Sequence, residues 1–268
     1  MKRLIIVAFI ALTMLGLFAA NQTMLLASSL STAPVEKMLT ANHLYEAGQY
    51  AQAAQAYQQL VDQGTVDGAL YYNLGNAYFK QGDDGRAILN YRRAQQLLPR
   101  DPDVKANLAL ARTQTVDQFE AVKGGGLLSG LGDAVQGWFT MNELAMAALA
   151  AWILFVFLFI LYNSARAGSA WRGGLKYALV VAAIVLAVGV LALGTFLYVE
   201  KNRSEGVVVA AEIDVTSGPG AQYVTEFTLH GGAEVEFVEM RGNWVRLSLP
   251  GDELEGWVPA NAVEAVSG

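Results

Sequence analysis

Two charge-free apolar runs dominate the hydrophobic pattern of this chain: residues 144–162, 19 in number, and residues 177–199, 23 in number. A helix needs roughly 20 apolar residues to cross a hydrocarbon core roughly 30 Å thick. Neither run has the polar face of a surface helix, and in lipid only a helix or a closed barrel satisfies its own backbone, so both read as spanning helices. The intervening residues 163–176 carry Arg166, Arg172 and Lys176 and no acid. A short loop with that bias stays in the cytoplasm, so residues before 143 and after 200 are expected to share the opposite compartment. At the N-terminus, Lys2 and Arg3 precede an apolar run of 17 residues, 4–20, interrupted only by Thr13. Residues 1–29 therefore read as an export signal, either a cleaved peptide or an anchor, and either fate gives the same orientation.

Between these segments the pattern is helical and repeats. A shift of 34 residues aligns Asn42 with Asn76, Gly48 with Gly82, Ala53 with Ala87 and Tyr57 with Tyr91. That period is the mark of the tetratricopeptide repeat. The second copy resembles that family most fully, through Tyr71, Leu74, Gly75, Tyr78, Ala87, Tyr91 and Pro99. Small Gly75 and Ala87 allow close approach of two antiparallel helices, and Pro99 ends the second of them. Residues 34–118 are thus expected to form an all-α solenoid, with repeats at about 34–67 and 68–101. Asp101, Pro102 and Asp103 start a capping helix over 103–118. Two repeats and a cap make a short solenoid, which is expected to draw support from another subunit or partner.

Residues 120–143 form a linker. Lys123 and the triple glycine 124–126 break the solenoid, and Leu127, Leu128, Leu131, Val135, Trp138 and Phe139 then share one helical face. This fits an interfacial helix with Trp138 at headgroup depth. Beyond the second span the period becomes alternating. Val235 and Phe237, then Val245, Leu247 and Leu249, alternate with polar or aromatic positions across a turn at residues 240–243, which predicts an antiparallel hairpin. Turn residues at 217–220, 230–232 and 250–251 give the spacing of a small all-β barrel over 205–266.

Charge changes the picture at one point. Residues 34–123 hold 9 basic and 10 acidic side chains, whereas residues 205–268 hold 2 and 11. The acidic C-terminal segment is expected to repel nucleic acid and anionic polymers, leaving neutral or cationic partners. The chain has no cysteine, which excludes disulfides, thiolate metal sites and thiol catalysis. It has no nucleophile elbow, no nucleotide loop and no paired histidines at metal spacing. A non-enzyme with no cofactor and no metal is expected.

Candidate contact residues follow from the repeat. Tetratricopeptide repeats hold extended peptides on a concave face lined by the first helix of each pair, and this resemblance assigns Asn42, Asn73, Asn76, Lys80 and Asn107 to that face. Asn42 and Asn76 are 34 residues apart, as are Asn73 and Asn107. A side-chain amide offers a peptide backbone both a donor and an acceptor. Arg86, Arg92, Arg93 and Arg100 fall on the second helix or its end and read as a solvated face. In the C-terminal segment, Val215, Ser217-Gly218-Pro219, Leu229-His230-x-Gly232, Gly242-x-Trp244-Val245 and Gly256-Trp257-Val258-Pro259 resemble bacterial SH3-like domains. Thr216 departs from that pattern, since many relatives place a basic residue there. Trp244 and Trp257 would either offer an aromatic surface for a peptide or glycan or close the barrel. His230 reads as a turn residue.

Repeat domain, membrane hairpin and SH3-like barrel in this order, with Tyr72-Asn73-Leu74-Gly75-Asn76-Ala77-Tyr78 and Pro99-x-Asp101, resemble the BatE-type proteins of bacterial aerotolerance operons. The resemblance implies a multi-pass inner-membrane scaffold with both soluble domains in the periplasm. Its implied partners are von Willebrand factor A-type membrane proteins and a MoxR-type ATPase. A cell-wall sensor that binds peptidoglycan through the SH3-like domain is the alternative, and a docking subunit of an export or cytochrome-assembly machine is a third.

Overall fold

The computed structural model describes residues 32–117, 127–166, 168–202, 205–249 and 254–266. The N-terminal apolar segment and the triple glycine lie outside the described residues. The chain divides into two compact units, one containing residues 141–194 and the other residues 34–140 and 195–268.

The larger unit begins with five helices: α1 (Thr32–Glu46), α2 (Tyr50–Asp62), α3 (Gly68–Lys80), α4 (Asp84–Leu97) and α5 (Pro102–Gln114). The starts of α3, α4 and α5 are written into the sequence. The Asp67 carboxylate accepts from the backbone N–H of Leu70 at 2.9 Å, Asp83 from Arg86 at 3.0 Å, and Asp101 from Asp103 and Val104 at 2.9 and 3.1 Å. Each satisfies helix N-terminal donors that otherwise have no partner. Gly48 and Gly82 turn the chain between paired helices at φ of 73° and 74°, and a Cβ at either would meet nothing, so conformation alone demands glycine there. Gly75 differs. A Cβ on it would stand 2.8 Å from the Tyr91 ring and 3.3 Å from the Ala87 carbonyl oxygen, so the absent side chain lets α3 and α4 touch. The first repeat packs on Ala41, Ala53, Tyr57, Leu60, Leu70 and Leu74.

Seven strands follow: β1 (Glu205–Val208), β2 (Glu212–Thr216), β3 (Thr225–His230), β4 (Glu234–Arg241), β5 (Trp244–Ser248), β6 (Glu255–Pro259) and β7 (Val263–Ala265). They form one antiparallel sheet in the order β3-β2-β6-β5-β4-β1-β7, and among the described residues no ladder joins β3 to β7. The hairpin of β4 and β5 turns on Gly242 at φ 59° and pairs Arg241 with Trp244 and Met240 with Val245. An irregularity between Phe237 and Glu239 shifts the pairing register. The burial alternates nonetheless, with Val235 buried and Val238 and Met240 exposed. The sheet's core is built on Val208, Val215, Leu229, Val235, Leu247 and Val258.

Repeat domain and sheet are one packed body. Ala87, Ile88, Leu89, Tyr91, Leu108 and Ala111 share a core with Val207 and Val266. A Cβ on Gly85 of α4 would lie 2.6 Å from the Val208 carbonyl oxygen, so glycine permits backbone contact between α4 and β1. The support that a short solenoid needs is supplied by the chain's own sheet.

The larger unit also holds α6 (Leu127–Gln136), and the second unit contains α7 (Met141–Ser164) and the greater part of α8 (Arg172–Asn202). Both helices are long and apolar enough to cross a membrane. They extend beyond the apolar runs because the polar residues at their ends continue the helical backbone. Gly168 turns the chain between them at φ 87°, and the Arg172 guanidinium lies over the Tyr162 ring, 5.0 Å from its centroid. Their outward side chains, including Phe157, Ile184, Val188 and Leu191, are exposed in the protein alone.

Candidate functional site

The first helices α1, α3 and α5 are stitched together by their asparagines. The Tyr57 hydroxyl donates to Asn42 Oδ1 at 2.7 Å, and Asn73 Nδ2 approaches the same oxygen at 3.4 Å. One repeat later, the Tyr91 hydroxyl donates to Asn76 Oδ1 at 2.7 Å and Asn107 Nδ2 donates to it at 2.9 Å. Asn107 Nδ2 also reaches the Tyr72 hydroxyl at 3.0 Å. The 34-residue periodicity of the sequence is thus a periodicity of hydrogen bonds.

This arrangement fixes which way each amide points. Asn42 and Asn76 spend their oxygens inward, whereas Asn73 and Asn107 spend their nitrogens. Each hydrogen-bonded amide couple therefore keeps a donor, Nδ2 of Asn42 or Asn76, and an acceptor, Oδ1 of Asn73 or Asn107, the two kinds of group that a peptide backbone can engage. All four residues are half-buried, and exposed Lys80 lies one helical turn beyond Asn76. The tyrosines lock the arrangement. Burial, reinforced by Tyr45, pushes the Tyr57 hydroxyl up to about 12, and burial raises Tyr91 as well, so both remain donors throughout the neutral range.

The tryptophans sit on neighbouring strands, Trp244 opposite Pro259 and Trp257 opposite Arg246. Trp257 is only 6% exposed, and the Arg241 guanidinium lies over its ring at 5.2 Å. Arg241 in turn donates to Glu239 at 2.6 Å, and Arg246 pairs with Glu239 and Glu255 at 3.7 and 3.5 Å. Trp244 is half-buried. Thr216 is buried, its hydroxyl 2.9 Å from the Gly218 carbonyl oxygen and 3.0 Å from that of Trp257.

Several arginines expected on a solvated face are instead engaged. Arg92 pairs with Glu205 and lies 3.3 Å from Glu234, while Arg93 donates to the Ala265 carbonyl at 2.8 Å and reaches Glu264 at 3.4 Å. Arg112 grips Glu234 with two bonds, at 2.6 and 2.9 Å. The Asp117 carboxylate accepts from the His230 backbone N–H at 2.6 Å. The acidic surplus of the C-terminal segment thus meets individual cations of the repeat domain, which is itself close to neutral, and that surplus was the one sequence signal for it. Arg86 stays local and pairs with Asp83 at 2.7 Å. Among the described residues no group of three or more His, Asp or Glu side chains stands ready for a metal.

Residues 38–102 match the tetratricopeptide-repeat family. This match covers α3 and α4 completely, together with most of α1 and the whole of α2. A tetratricopeptide-repeat domain supports protein–protein binding. No curated protein matched the chain.

Proposed function

We propose that this protein is a membrane-anchored scaffold, without catalytic activity, that holds extended segments of partner proteins on its tetratricopeptide repeats. The observation that carries the reading is the pair of oriented amide couples on α1, α3 and α5, held in place by buried tyrosines. A groove that addresses the peptide backbone selects extended chain rather than a particular side chain. The sheet is taken as an SH3-like module that serves as a second protein contact. The order of domains supports a BatE-type assembly with von Willebrand factor A-type membrane proteins and a MoxR-type ATPase. Arg166, Arg172 and Lys176 support an inner-membrane hairpin whose loop is cytoplasmic and whose soluble parts are both periplasmic.

A photoreactive residue at Lys80, which is exposed and outside the amide network, tests the scaffold. In-cell crosslinking followed by mass spectrometry is expected to capture a membrane-protein partner, and capture is expected to fall when Asn73 and Asn107 are both changed to Ala. A chain recovered alone from mild detergent, with no crosslink at Lys80, would overturn the reading. Reporter fusions test the orientation: a tag at Gly168 active only when exported contradicts it.

A further inference from the structure

Helix α6 (Leu127–Gln136) packs along the last turns of α8. Gly132 is buried there, with the Val199 side chain and the Thr195 carbonyl oxygen in the space a Cβ would occupy, and Gln136 Nε2 donates to the Phe196 carbonyl at 3.4 Å. The helical turn continues past α6, since the backbone N–H groups of Trp138 and Phe139 both donate to the Val135 carbonyl, at 3.1 and 2.9 Å. Arg100 then donates to the Trp138 carbonyl at 2.6 Å and ties this corner to the repeat domain. Thr195, Phe196 and Val199 are buried by the contact, yet Leu131, Trp138 and Phe139 are 53%, 67% and 47% exposed, and Leu197 and Tyr198 are 42% and 52% exposed.

We propose that these five exposed side chains form one surface that beds into the boundary between headgroups and acyl chains of a lipid bilayer. Leu197 and Tyr198 belong to the apolar stretch of α8, and the first charges after it are Glu200 and Lys201, so this is where the stretch ends. Helix α6 is held at that same level. Tryptophan, tyrosine and phenylalanine beside leucine are the side chains that settle at headgroup depth. Residues 127–140 contain one acid and no base, so docking does not depend on anionic lipid. The inference rests on α8 crossing the bilayer.

The absence of cysteine allows single-cysteine spin labels in the full chain, reconstituted in phosphatidylcholine vesicles. Labels replace Leu131, Phe139, Ile184 and, as a control on the sheet, Val238. At 131 and 139 the ratio of oxygen to nickel-chelate collision is expected to be several-fold above that at 238 and below that at 184, and unchanged when phosphatidylglycerol is added. Labels at 131 and 139 as water-accessible as 238, with 184 deep in lipid, would overturn this surface and leave the span intact. Labels at 131 and 139 shielded from both reagents would overturn it in favour of a protein covering. A water-exposed label at 184 would overturn the span and this surface together.

Discussion

At the scale of single residues, Asn76 is the most connected of the repeat amides, accepting from both the Tyr91 hydroxyl and Asn107. Asn76→Ala is expected to cost about 1–3 kcal/mol in denaturant unfolding, because buried Tyr91 and half-buried Asn107 both lose their acceptor. Asn76→Asp, which keeps an acceptor there, should lose less. Tyr57 carries a pH dependence of definite sign. Its folded-state value is raised from the ordinary 10.0 to about 12, so the folded protein retains the proton after the unfolded chain has released it. The stability from this hydroxyl is complete below pH 10 and is lost as the pH climbs toward 12. Unfolding measured across that window should show a fall in stability that is smaller in Tyr57→Phe. Neither Tyr57 nor Tyr91 was legible as a hydrogen-bond donor in the sequence, where the two were matching positions of the repeat pattern. Only the fold shows that each hydroxyl ends on an amide 15 residues earlier.

At the scale of helices and strands much was legible, for reasons that are local. Asp101 followed by Pro102 starts α5 because carboxylate and ring act on their own backbone within one turn. The equivalence of Gly48 and Gly82 holds because each must adopt positive φ after a first helix. Gly75 was legible for its size, and the ring of Tyr91 accounts for it: Gly75→Val is expected to destabilise by about 1–3 kcal/mol through overpacking, whereas Gly82→Ala should cost about 1 kcal/mol through conformation alone. Thermal denaturation of the two variants separates these causes. The alternation of β4 predicted Val235 and Phe237 correctly as inward, but the irregularity after Phe237 could not be read. A β-bulge changes the count of residues between pairs, and no residue near Val238 announces it. Trp257 was equally ambiguous, since an indole suits a core and a surface alike until the neighbouring strand places Arg241 upon it.

At the scale of the whole molecule the decisive contact joins parts far apart in the chain. Arg92 and Glu205 are separated by 113 positions, and Arg112 and Glu234 by 122. No window of sequence contains both partners, which is why the arginines looked solvated when read from the sequence alone. A double-mutant cycle on Arg112→Ala and Glu234→Ala is expected to give a coupling of about 1 kcal/mol, weakening with salt, because the pair is bidentate yet partly exposed. Gly85→Leu goes further by driving a side chain into the Val208 carbonyl. Calorimetry should then resolve two transitions where the shared core of the native protein is expected to give one, as Val207 and Val266 leave that core.

Stacked repeats tend toward open-ended growth, since each unit leaves the next an apolar face to build on. Here the sheet acts as a stopper on the α4 and α5 side, occupying the place where another molecule's first repeat would dock. At the α1 end Val35 and Leu39 are exposed, and two copies meeting there through the same face would close as a pair rather than grow further.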